Sequence, residues 1–371
     1  MPSTSVLPSP GRRICFFNTT PFWGGGEKWH LEAALRFRNR GHDVVVLGHP
    51  GSPLVLKARD HGLATAEFGL GNASALNPAI LWRLVRFFHD RRIEAVVFNG
   101  PLDLKAGGLA ALMAGVPRRV YRRGLALPTR NRWTNRYLFN RVLTHIVPNS
   151  KATRRIMFRD LVVADPDERI RVITNGIDLE AFDARPFNPP EVPAGPAPRL
   201  VNVGRLTAQK GQEILLEVAR RLKDEGVEFQ LLIAGEGERR AELTALARDL
   251  DVQDRVEFLG FVEDVTSLLR QADVFVFTSR WEGMSNALLE AAAAATPVVT
   301  VDTTSNGEAV IDGETGFVVP AGDTEAFAAR LRALVEDPEL RARMGAAGRR
   351  LVEGSFRLDR KMDEWERLLS G

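Results

Sequence analysis

Short apolar runs alternate with longer amphipathic stretches along the chain, and this alternation constrains the fold more than any other feature of the sequence. Each half of the chain holds five such runs, three to five residues long and rich in Val, Ile and Phe. Strands that are buried on both faces and joined by helical crossovers are typical of a parallel α/β sheet. The sequence therefore predicts an α/β fold of two doubly wound, Rossmann-like domains.

The predicted elements are shared evenly between the two halves. The strands are 14–18, 43–47, 95–98, 119–121 and 146–148, then 200–203, 230–234, 256–259, 274–278 and 298–301. The helices are 26–40, 76–90, 104–115, 131–142 and 150–159, then 211–224, 238–250, 264–271, 286–295 and 324–335. Ligands of open α/β sheets bind beyond the carboxyl ends of the strands, so we expect the two domains to face a cleft that holds the site.

A proline-rich stretch separates the halves. Residues 185–198 (RPFNPPEVPAGPAP) hold six prolines in fourteen positions. Because proline fixes φ and has no N–H to donate, this stretch is predicted to be a semi-rigid linker. We expect an N-terminal domain over 1–185, a linker over 186–198 and a C-terminal domain over 199–355. Residues 356–371 are predicted to form one more amphipathic helix, whose pattern alone fits a cap on the second domain.

The composition is that of a globular protein from a reducing compartment. Of the 371 residues, 44% are apolar and 26% charged, which excludes a disordered chain, a collagen-like fibre and a disulfide scaffold. Cys15 is the single cysteine, so no internal disulfide can form. The leader 1–11 lacks the apolar core of a secretory signal, and no apolar run approaches the ~20 residues of a membrane helix. We therefore expect a cytoplasmic protein.

The net charge of +3 conceals an asymmetry between the halves. Residues 1–185 hold 28 Lys and Arg against 15 Asp and Glu, whereas residues 186–371 hold 22 against 32. The steepest part is 101–159, with 13 basic residues and the single acid Asp103. Such an asymmetry indicates a surface for an anionic partner.

The first candidate site is the glycine-rich turn 24–26, between the first predicted strand and the first helix. Glycines let backbone approach a ligand closely, and a helix N-terminus offers N–H groups to a phosphate. The turn is not G-x-G-x-x-G, since Trp29 stands where the third glycine belongs, and no Walker Gly-Lys-Ser/Thr follows. A phosphate-binding turn and an ordinary tight turn both remain open.

The second candidate site is the loop 204–211 (GRLTAQKG), which follows a strand and precedes a helix. Its Arg205 and Lys210 lie five residues apart and can reach one anionic group. A planar guanidinium together with a compact ammonium suits a diphosphate. The alternative is a pair of solvated surface cations.

The third candidate site is the segment 281–290 (WEGMSNALLE), after the predicted strand 274–278. Glu282 is expected in the loop, and Glu290 in the first turns of the following helix, which Ser285 or Asn286 can cap. Because Glu290 stands among Ala and Leu in a helix that should be largely buried, its carboxylate needs a hydrogen-bonding partner. Sugar hydroxyls would supply one, and a buried structural salt bridge is the alternative.

These motifs, in this order, resemble the retaining glycosyltransferases of the GT-B fold, and among them family 4. Glu282 and Glu290 match the E-x7-E pair of that family, and the loop 204–211 resembles its G-R-L-x-x-x-K-G phosphate loop. The resemblance covers nearly the whole chain. Further matching segments are 147–150 (VPNS), 175–178 (NGID), 232–237 (LIAGEG) and 258–260 (FLG).

The resemblance implies transfer of a sugar from a nucleoside-diphosphate donor, with retention at the anomeric carbon. Arg205 and Lys210 would grip the diphosphate and stabilise the leaving group, helped by the backbone N–H of Gly26. Glu290 would accept hydrogen bonds from the ribose, and Glu282 from the donor sugar. The other donor-binding residues that the resemblance implies are Gly25, Gly204, Gly235, Glu236, Phe261, Val262, Gly283, Met284, Ser285 and Asn286.

The resemblance implies neither a metal nor a cofactor nor a protein nucleophile, because fixed cations take the place of a metal in this family. The letters D-x-D occur at Asp165-Pro166-Asp167, in a charged proline loop that is predicted to be an ordinary surface turn. A final helix that crosses back to the first domain is usual in the GT-B fold, and residues 356–371 are placed to form it.

The acceptor side departs from the family pattern. Many members carry a His after the fourth strand of the first domain, where this sequence has 120–124 (VYRRG). Arg122 or Arg123 would take an acceptor or phosphate role there, and two surface cations are the alternative. Asn99 and Asp103, at another strand end, are further acceptor-side candidates.

The basic stretch 118–159 interleaves twelve Lys and Arg with Trp133, Tyr137, Phe139 and Phe158. Such a surface fits an anionic membrane, an anionic acceptor or nucleic acid, but no nucleic-acid-binding module accompanies it. With the resemblance, we expect a glycan or lipid-linked acceptor of the cell envelope and peripheral contact with the inner face of the membrane. A solvated arginine-rich face is the alternative.

Two other functions compete with sugar transfer. A nucleotide-sugar epimerase would need acid and base groups near the sugar, and the sequence identifies none. A non-catalytic sugar-nucleotide-binding protein is disfavoured by the intact set Arg205, Lys210, Glu282 and Glu290.

Overall fold

The computed structural model describes residues 11–190, 192 and 195–371. Residues 1–10 of the predicted leader and Glu191, Pro193 and Ala194 of the predicted linker lie outside the described residues. The chain divides into two compact units. Unit 1 consists of the residues up to 149 with Thr153–Ile173 and Met362–Gly371, and unit 2 consists of Ser150–Ala152 and Thr174–Lys361.

Unit 1 is built on a six-stranded parallel sheet. Its strands are β1 Arg13–Asn18, β2 Asp43–Gly48, β3 Ala64–Glu67, β4 Ala95–Phe98, β5 Arg118–Arg123 and β6 His145–Pro148. Their order in the sheet is β3-β2-β1-β4-β5-β6, with Ile14 opposite Val44 on one side and Ala95 on the other. The helices of this part of the chain are α1 Gly25–Asn39, α2 Pro53–Asp60, α3 Pro78–Asp90, α4 Pro101–Met113, α5 Trp133–Tyr137, α6 Lys151–Met157 and α7 Pro166–Arg169.

Unit 2 repeats this plan. Its strands are β7 Arg199–Val203, β8 Gln230–Ala234, β9 Val256–Gly260, β10 Val274–Phe277, β11 Val298–Asp302 and β12 Gly316–Pro320. Their order is β12-β11-β10-β7-β8-β9, and all neighbours are parallel. The remaining helices are α8 Leu179–Asp183, α9 Gln212–Asp224, α10 Arg240–Asp249, α11 Val265–Arg270, α12 Asn286–Ala293, α13 Asn306–Ala309, α14 Thr324–Glu336, α15 Pro338–Ser355 and α16 Leu358–Ser370.

The structure adds elements that the sequence analysis did not predict. Strand β3 (ATAE) lacks large apolar residues, and strand β12 begins with Gly and ends with Pro, which are usually turn residues. Helix α2 was not predicted either, nor was α15, whose interior holds glycines. Glycine disfavours a helix, but a Cβ at Gly345 would lie 1.9 Å from the carbonyl oxygen of Ala295. Packing against the end of α12 therefore requires glycine at position 345. The same glycine weakens the helical pattern of α15 in the sequence.

Each unit has its own apolar core. Phe17, Phe88 and Phe98 pack together in unit 1, and Phe275 stacks near Phe277 in unit 2 with ring centroids 6.0 Å apart. Burial of such side chains on the faces of the sheets is the main stabilising contribution. Within the ranges that the structure describes, no helix is both long enough and apolar enough to cross a bilayer.

The predicted helix 356–371 is present as α16, and its residues from Met362 onward pack within unit 1. Trp365 is 1% exposed, and its ring centroid lies 4.9 Å from that of Trp29. Arg40 forms an ion pair with Asp363 at 2.7 Å. The end of the chain therefore contributes both apolar area and charge pairs to the stability of unit 1.

Candidate functional site

The strand order of unit 2 reverses between the neighbouring strands β7 and β10. Ligands of open α/β sheets bind beyond the carboxyl ends of the strands at such a reversal. The loop 204–211 follows β7, and the segment 281–290 follows β10. The topology therefore brings two of the three predicted motifs to one place.

Lys210 and Glu282 meet at this place. Lys210 Nζ donates to Glu282 Oε1 in a close ion pair, and the two side chains are only 18% and 13% exposed. The ammonium also lies 5.3 Å from the centroid of the Phe277 ring. Gln209 Nε2 donates to the same carboxylate oxygen at 3.3 Å. The ammonium is thus held at the carboxyl edge of the sheet by the Glu282 carboxylate, which also accepts from Gln209 of the neighbouring loop.

The backbone of the loop 204–211 is fixed from beneath by buried polar side chains. Gln212 is fully buried, and its Nε2 donates to the carbonyl oxygen of Arg205 at 3.1 Å. Thr278 directs its hydroxyl at the carbonyl oxygens of Lys210 and Gly211, at 3.1 and 3.0 Å. The side chain of Arg205 itself is exposed. The loop therefore has a rigid backbone and a solvated guanidinium.

The turn after β8 joins the loops after β7 and β9 through its backbone. Gly235 N–H donates to the carbonyl oxygen of Gly260 at 2.7 Å, and Leu206 N–H donates to that of Glu236 at 2.8 Å. Gly235 has a φ of +142°, and a Cβ there would lie 2.0 Å from the carbonyl oxygen of Gly204. Only glycine fits this approach. Beyond Gly260, Phe261 is 74% exposed and Val262 is half-buried.

The loop after β10 is anchored by side chains from distant parts of unit 2. Glu282 N–H donates to Thr304 Oγ1 at 2.9 Å, and Ser305 Oγ donates to the carbonyl oxygen of Gly283. Asn175 Nδ2 lies 2.9 Å from both the carbonyl oxygen of Met284 and Asn286 Oδ1. Gly283, Met284 and Ser285 are buried, and Ser285 directly precedes α12. Glu290 is half-buried in α12.

Several residues of this site were missed by the sequence analysis. Glu213 accepts hydrogen bonds from Arg239 and Arg280, each at 2.6 Å. Burial alone would raise the pKa of the Glu213 carboxyl, but the two guanidinium groups outweigh it and lower the pKa. Gln209 and Gln212 flank the predicted Lys210 and could have been singled out. Thr304 could not, because only the fold brings it to the loop after β10.

The sheet of unit 1 has a corresponding reversal between β1 and β4. Asp103 is 2% exposed and accepts hydrogen bonds from the N–H groups of Thr19 at 3.0 Å and Gly100 at 2.8 Å. Burial raises the pKa of Asp103 to about 6, although these hydrogen bonds oppose the shift. A Cβ at Gly26 would lie 2.7 Å from Asn99 Nδ2. Asp103 thus ties together the two loops at the reversal, and Gly26, beside Gly25 in the first turn of α1, lies against Asn99.

The two predicted acceptor-side arginines occupy different environments. Arg122 is 3% exposed, and its Cζ lies 4.2 Å from the centroid of the Trp29 ring. Burial lowers the pKa of Arg122 to about 9, against the opposing charge of Glu27. Arg123 donates to the Tyr121 hydroxyl at 3.2 Å. The acceptor role of either residue stays a prediction.

No cluster of three or more His, Cys, Asp or Glu residues that could hold a metal ion occurs among the described residues. The predicted surface turn around Asp165 lies at the start of the short helix α7, which has no buried residue. The structure places Asp165 in the left-handed region, with φ +48°.

Comparison with known proteins identifies the family. Residues 186–351 match the family model of glycosyl transferases group 1, and residues 23–181 match that of Glycosyltransferase Family 4. The chain belongs to glycosyltransferase family 4. The family named on the sequence motifs is therefore confirmed.

Relatives of this family 4 chain include enzymes named for cell-envelope glycans. It is 36% identical over 201 residues to the lipopolysaccharide core biosynthesis glycosyltransferase LpsE of Rhizobium meliloti. That alignment covers 54% of this chain and 58% of LpsE. It is 27% identical over 293 residues to the capsular polysaccharide biosynthesis glycosyltransferase CapM of Staphylococcus aureus. That alignment covers 74% of this chain and 76% of CapM. The chain thus spans less than two thirds of the length of LpsE.

Among solved structures, HepE of Anabaena in complex with UDP matches with a TM-score of 0.82. The match covers 96% of this chain and 99% of HepE at 20% identity. At that identity the likeness concerns the fold. Together with the two six-stranded parallel sheets, it confirms the predicted GT-B fold class.

Proposed function

We propose that the protein is a retaining glycosyltransferase that moves a sugar from a nucleoside-diphosphate sugar to a glycan or lipid-linked acceptor of the cell envelope. The observation that carries this proposal is the Lys210–Glu282 pair at the β7/β10 reversal, with exposed Arg205 in the same loop. Two cations beside the carboxyl end of a sheet provide the charge that a diphosphate needs. Membership of family 4 supports the same reaction.

The donor diphosphate would bind Lys210 and Arg205, whose charges stabilise the leaving group as the glycosidic bond breaks. Fixed cations do the work that a metal would do, so the reaction is proposed to be metal-independent. Glu282 holds Lys210 in place before the donor binds and then accepts from hydroxyls of the donor sugar. Glu290 would accept from the ribose.

We propose that backbone groups and the exposed ring of Phe261 make the remaining contacts to the donor. The turns at Gly204 and Gly235–Glu236 present backbone groups beside the diphosphate loop, and Phe261 offers a face on which a nucleobase can stack. Residues 283–286 would contribute backbone N–H groups. Gly25 and Gly26 stay proposed donor contacts on the strength of the family resemblance alone.

We propose a uridine diphosphate sugar as the donor, since HepE was solved in complex with UDP-glucose. The proposed arrangement of domains is the predicted one, with the acceptor side in residues 1–185 and 356–371 and the donor side in 199–355. The names of LpsE and CapM support a cell-envelope glycan as the acceptor.

A donor panel tests this function. The purified chain is incubated with UDP-, GDP- and ADP-sugars, and the nucleotide products are separated by chromatography. The proposal expects the sugar of one donor to be transferred to water, with release of the nucleoside diphosphate. An epimerase would instead change the sugar while it stays attached to the nucleotide, and a binding protein would retain the donor unchanged. Absence of donor consumption with every nucleotide would overturn the proposal.

We also propose that the stretch 118–159 contacts the anionic inner face of the membrane, where the protein would act as a cytoplasmic enzyme. Around α5, Trp133 is 73% and Tyr137 45% exposed, and Arg130, Arg132 and Arg136 are exposed beside them. Exposed aromatic and basic side chains together favour the membrane interface. Phe139 and Phe158 pack against the core of unit 1 instead.

Vesicle sedimentation tests this contact. We expect the chain to sediment with anionic vesicles at low salt, and to be released as the salt concentration rises. Trp133→Ala combined with Arg136→Gln should weaken sedimentation, whereas the exposed Trp82→Ala, on α3, serves as the control. Failure to sediment with anionic vesicles at low salt would disprove the contact.

A further inference from the structure

Unit 1 contains a cavity of about 390 Å³ on the side of its sheet where strands β5 and β6 begin. Arg118 is the first residue of β5, whereas the predicted acceptor-side Arg122 and Arg123 end that strand. The cavity is therefore separate from the carboxyl edge that carries the candidate site. Its lining combines three arginines, one histidine and one glutamate with apolar side chains.

Three arginines from three different elements converge on the cavity. Arg118 comes from β5, Arg171 from the segment that hydrogen-bonds alongside β6, and Arg367 from the last turn of α16. Among the residues that the structure describes, no carboxylate forms an ion pair with any of the three. Arg171 donates to the carbonyl oxygen of Asp167, and Arg367 Nε to that of Asp363 at 3.2 Å.

The positive charge of the lining is not explained by folding requirements alone. A helix C-terminus carries partial negative charge, and this accounts for Arg367 on α16 but not for Arg118 or Arg171. Glu364 is the only acidic residue in the lining. Three guanidinium groups around one carboxylate side chain leave an excess of positive side-chain charge in a concave space.

The nearby arginines also affect the pKa of His145. Its burial, together with the charges of Arg118, Arg171 and Arg169, lowers the pKa of His145 to about 4. The imidazole is therefore neutral at pH 7 and can accept or donate one hydrogen bond without adding charge. A neighbouring anion would be favoured by the same arginines that disfavour the imidazolium.

We propose that this cavity binds a phosphate ester. The planar guanidinium group of arginine pairs with phosphate oxygens in bidentate geometry. Arg118, Arg171 and Arg367 therefore favour a phosphate over a neutral ligand. The volume is in the range of small-molecule sites, and Val172, Ile173 and Leu368 provide apolar contacts for the carbon part of the ester. A soluble phosphate ester and a lipid headgroup share this chemistry. The site is additional to sugar transfer and does not depend on it.

Calorimetric titration of the full chain with glycerol 1-phosphate tests the site, in parallel with vesicles of phosphatidylcholine with and without phosphatidic acid. The double variant Arg171→Gln/Arg367→Gln changes two exposed side chains and should keep the fold. We expect it to bind at least tenfold more weakly than the wild type. The matched control Arg83→Gln/Arg86→Gln, on α3 of the same unit, and the donor-site variant Lys210→Ala should bind like the wild type.

The two arms distinguish the sources of the phosphate. Binding of glycerol 1-phosphate that the double variant loses identifies a soluble ester. Binding only to vesicles with phosphatidic acid, again lost in the double variant, identifies a lipid headgroup. The proposal is overturned if the wild type binds neither probe, or if the double variant binds as tightly as the wild type.

Discussion

At the scale of single residues, the candidate chemistry depends on an ammonium that two loops hold in one position. Lys210 donates to Glu282, Gln209 donates to the same carboxylate, and Thr304 fixes the backbone of Glu282. A cation positioned in advance stabilises a developing negative charge without reorganisation. The carboxylate is therefore as much a part of the site as the cation that it holds.

Substitution of Glu282 tests this arrangement. Glu282→Gln keeps the shape of the side chain but removes its charge, and a hydrogen bond to a charged group contributes about 1.5–3 kcal/mol. We expect kcat/KM for the donor to fall by about 10–150-fold. Glu336→Gln, at the exposed end of α14, is the control. A kcat/KM of Glu282→Gln within twofold of the wild type would contradict the role.

A second residue-scale prediction concerns acid stability. Burial and the charge of Arg122 lower the pKa of His30 to about 3, against an ordinary value of 6.5. Below pH 6.5 the unfolded chain binds a proton that the folded chain does not, so stability is lost as the pH falls toward 3. Each bound proton changes the unfolding free energy by about 1.4 kcal/mol per pH unit.

Between pH 6 and pH 4, the slope of the unfolding free energy against pH should therefore be smaller in His30→Gln than in the wild type, by about 1.4 kcal/mol per pH unit. Urea unfolding, followed by tryptophan fluorescence, measures this slope. Because five of the six tryptophans lie in unit 1, the fluorescence reports mainly on the unit that contains His30. The control His89→Gln changes an exposed histidine. Equal slopes in the wild type and His30→Gln would refute the prediction.

At the scale of elements, the turn after β8 holds three strand ends together through backbone contacts. Gly235→Ala would bring a Cβ to 2.0 Å from the carbonyl oxygen of Gly204 at a positive φ. A strained backbone conformation costs about 1–3 kcal/mol. A loss of about 2 kcal/mol lowers the Tm of a unit of this size by about 4–8 °C. Scanning calorimetry measures the shift.

The control for this turn is Gly307→Ala in α13, where a Cβ would meet no atom within 4 Å. We expect its Tm to stay at or slightly above that of the wild type, because alanine favours a helix over glycine. If Gly235→Ala unfolds at the wild-type temperature, the close backbone approach at this turn is not a constraint on the fold.

Helix α16 gives a second element-scale prediction. Trp365→Ala removes a fully buried ring that packs against Trp29, and such a truncation costs about 3–5 kcal/mol. Urea unfolding of unit 1 should shift to a markedly lower midpoint. Trp133→Ala, at 73% exposure, should leave the midpoint nearly unchanged. Equal midpoints for the two variants would show that α16 does not stabilise unit 1.

Which elements the sequence predicts depends on where they lie in the fold. The central strands β1, β4, β7, β8 and β10 are buried on both faces, so their apolar runs identify them without further information. Strand β3 lacks that signal, and the apolar residues of β12 stand between a glycine and a proline, which usually mark turns. Helix α15 was missed because its glycines serve packing against α12, a requirement that no local rule reveals.

At the scale of the whole molecule, the topology explains why separate motifs form one site. The sequence predicts Lys210 and Glu282 as functional residues, but only the β7/β10 reversal shows that they form an ion pair. The burial of Arg122 on Trp29 likewise follows from tertiary packing, since an arginine-rich segment is ordinarily exposed. The sequence therefore predicts functional residues that lie together on one loop. It does not predict contacts between residues of two separate elements.

The charge asymmetry between the halves is also a property of the whole molecule. The basic residues of unit 1 are spread over an exposed face around α5 and a cavity below the start of β5, which predicts two separable anion-binding surfaces. Trp133 and Arg136 belong to the first, and Arg171 and Arg367 to the second. The variant Trp133→Ala/Arg136→Gln should therefore weaken vesicle sedimentation and leave the binding of glycerol 1-phosphate unchanged.

The most direct test of the central claim is the rate of donor consumption in Lys210→Ala, measured beside Lys223→Ala on the donor that the wild type uses. Lys223 lies in the same unit, where it pairs with Asp254 at 2.8 Å, far along the helix from the loop. Loss of a preorganised charge at the leaving group predicts a rate about 100–1,000-fold lower in Lys210→Ala. Lys223→Ala should retain the wild-type rate. A folded Lys210→Ala variant that consumes the donor at the wild-type rate would contradict the account.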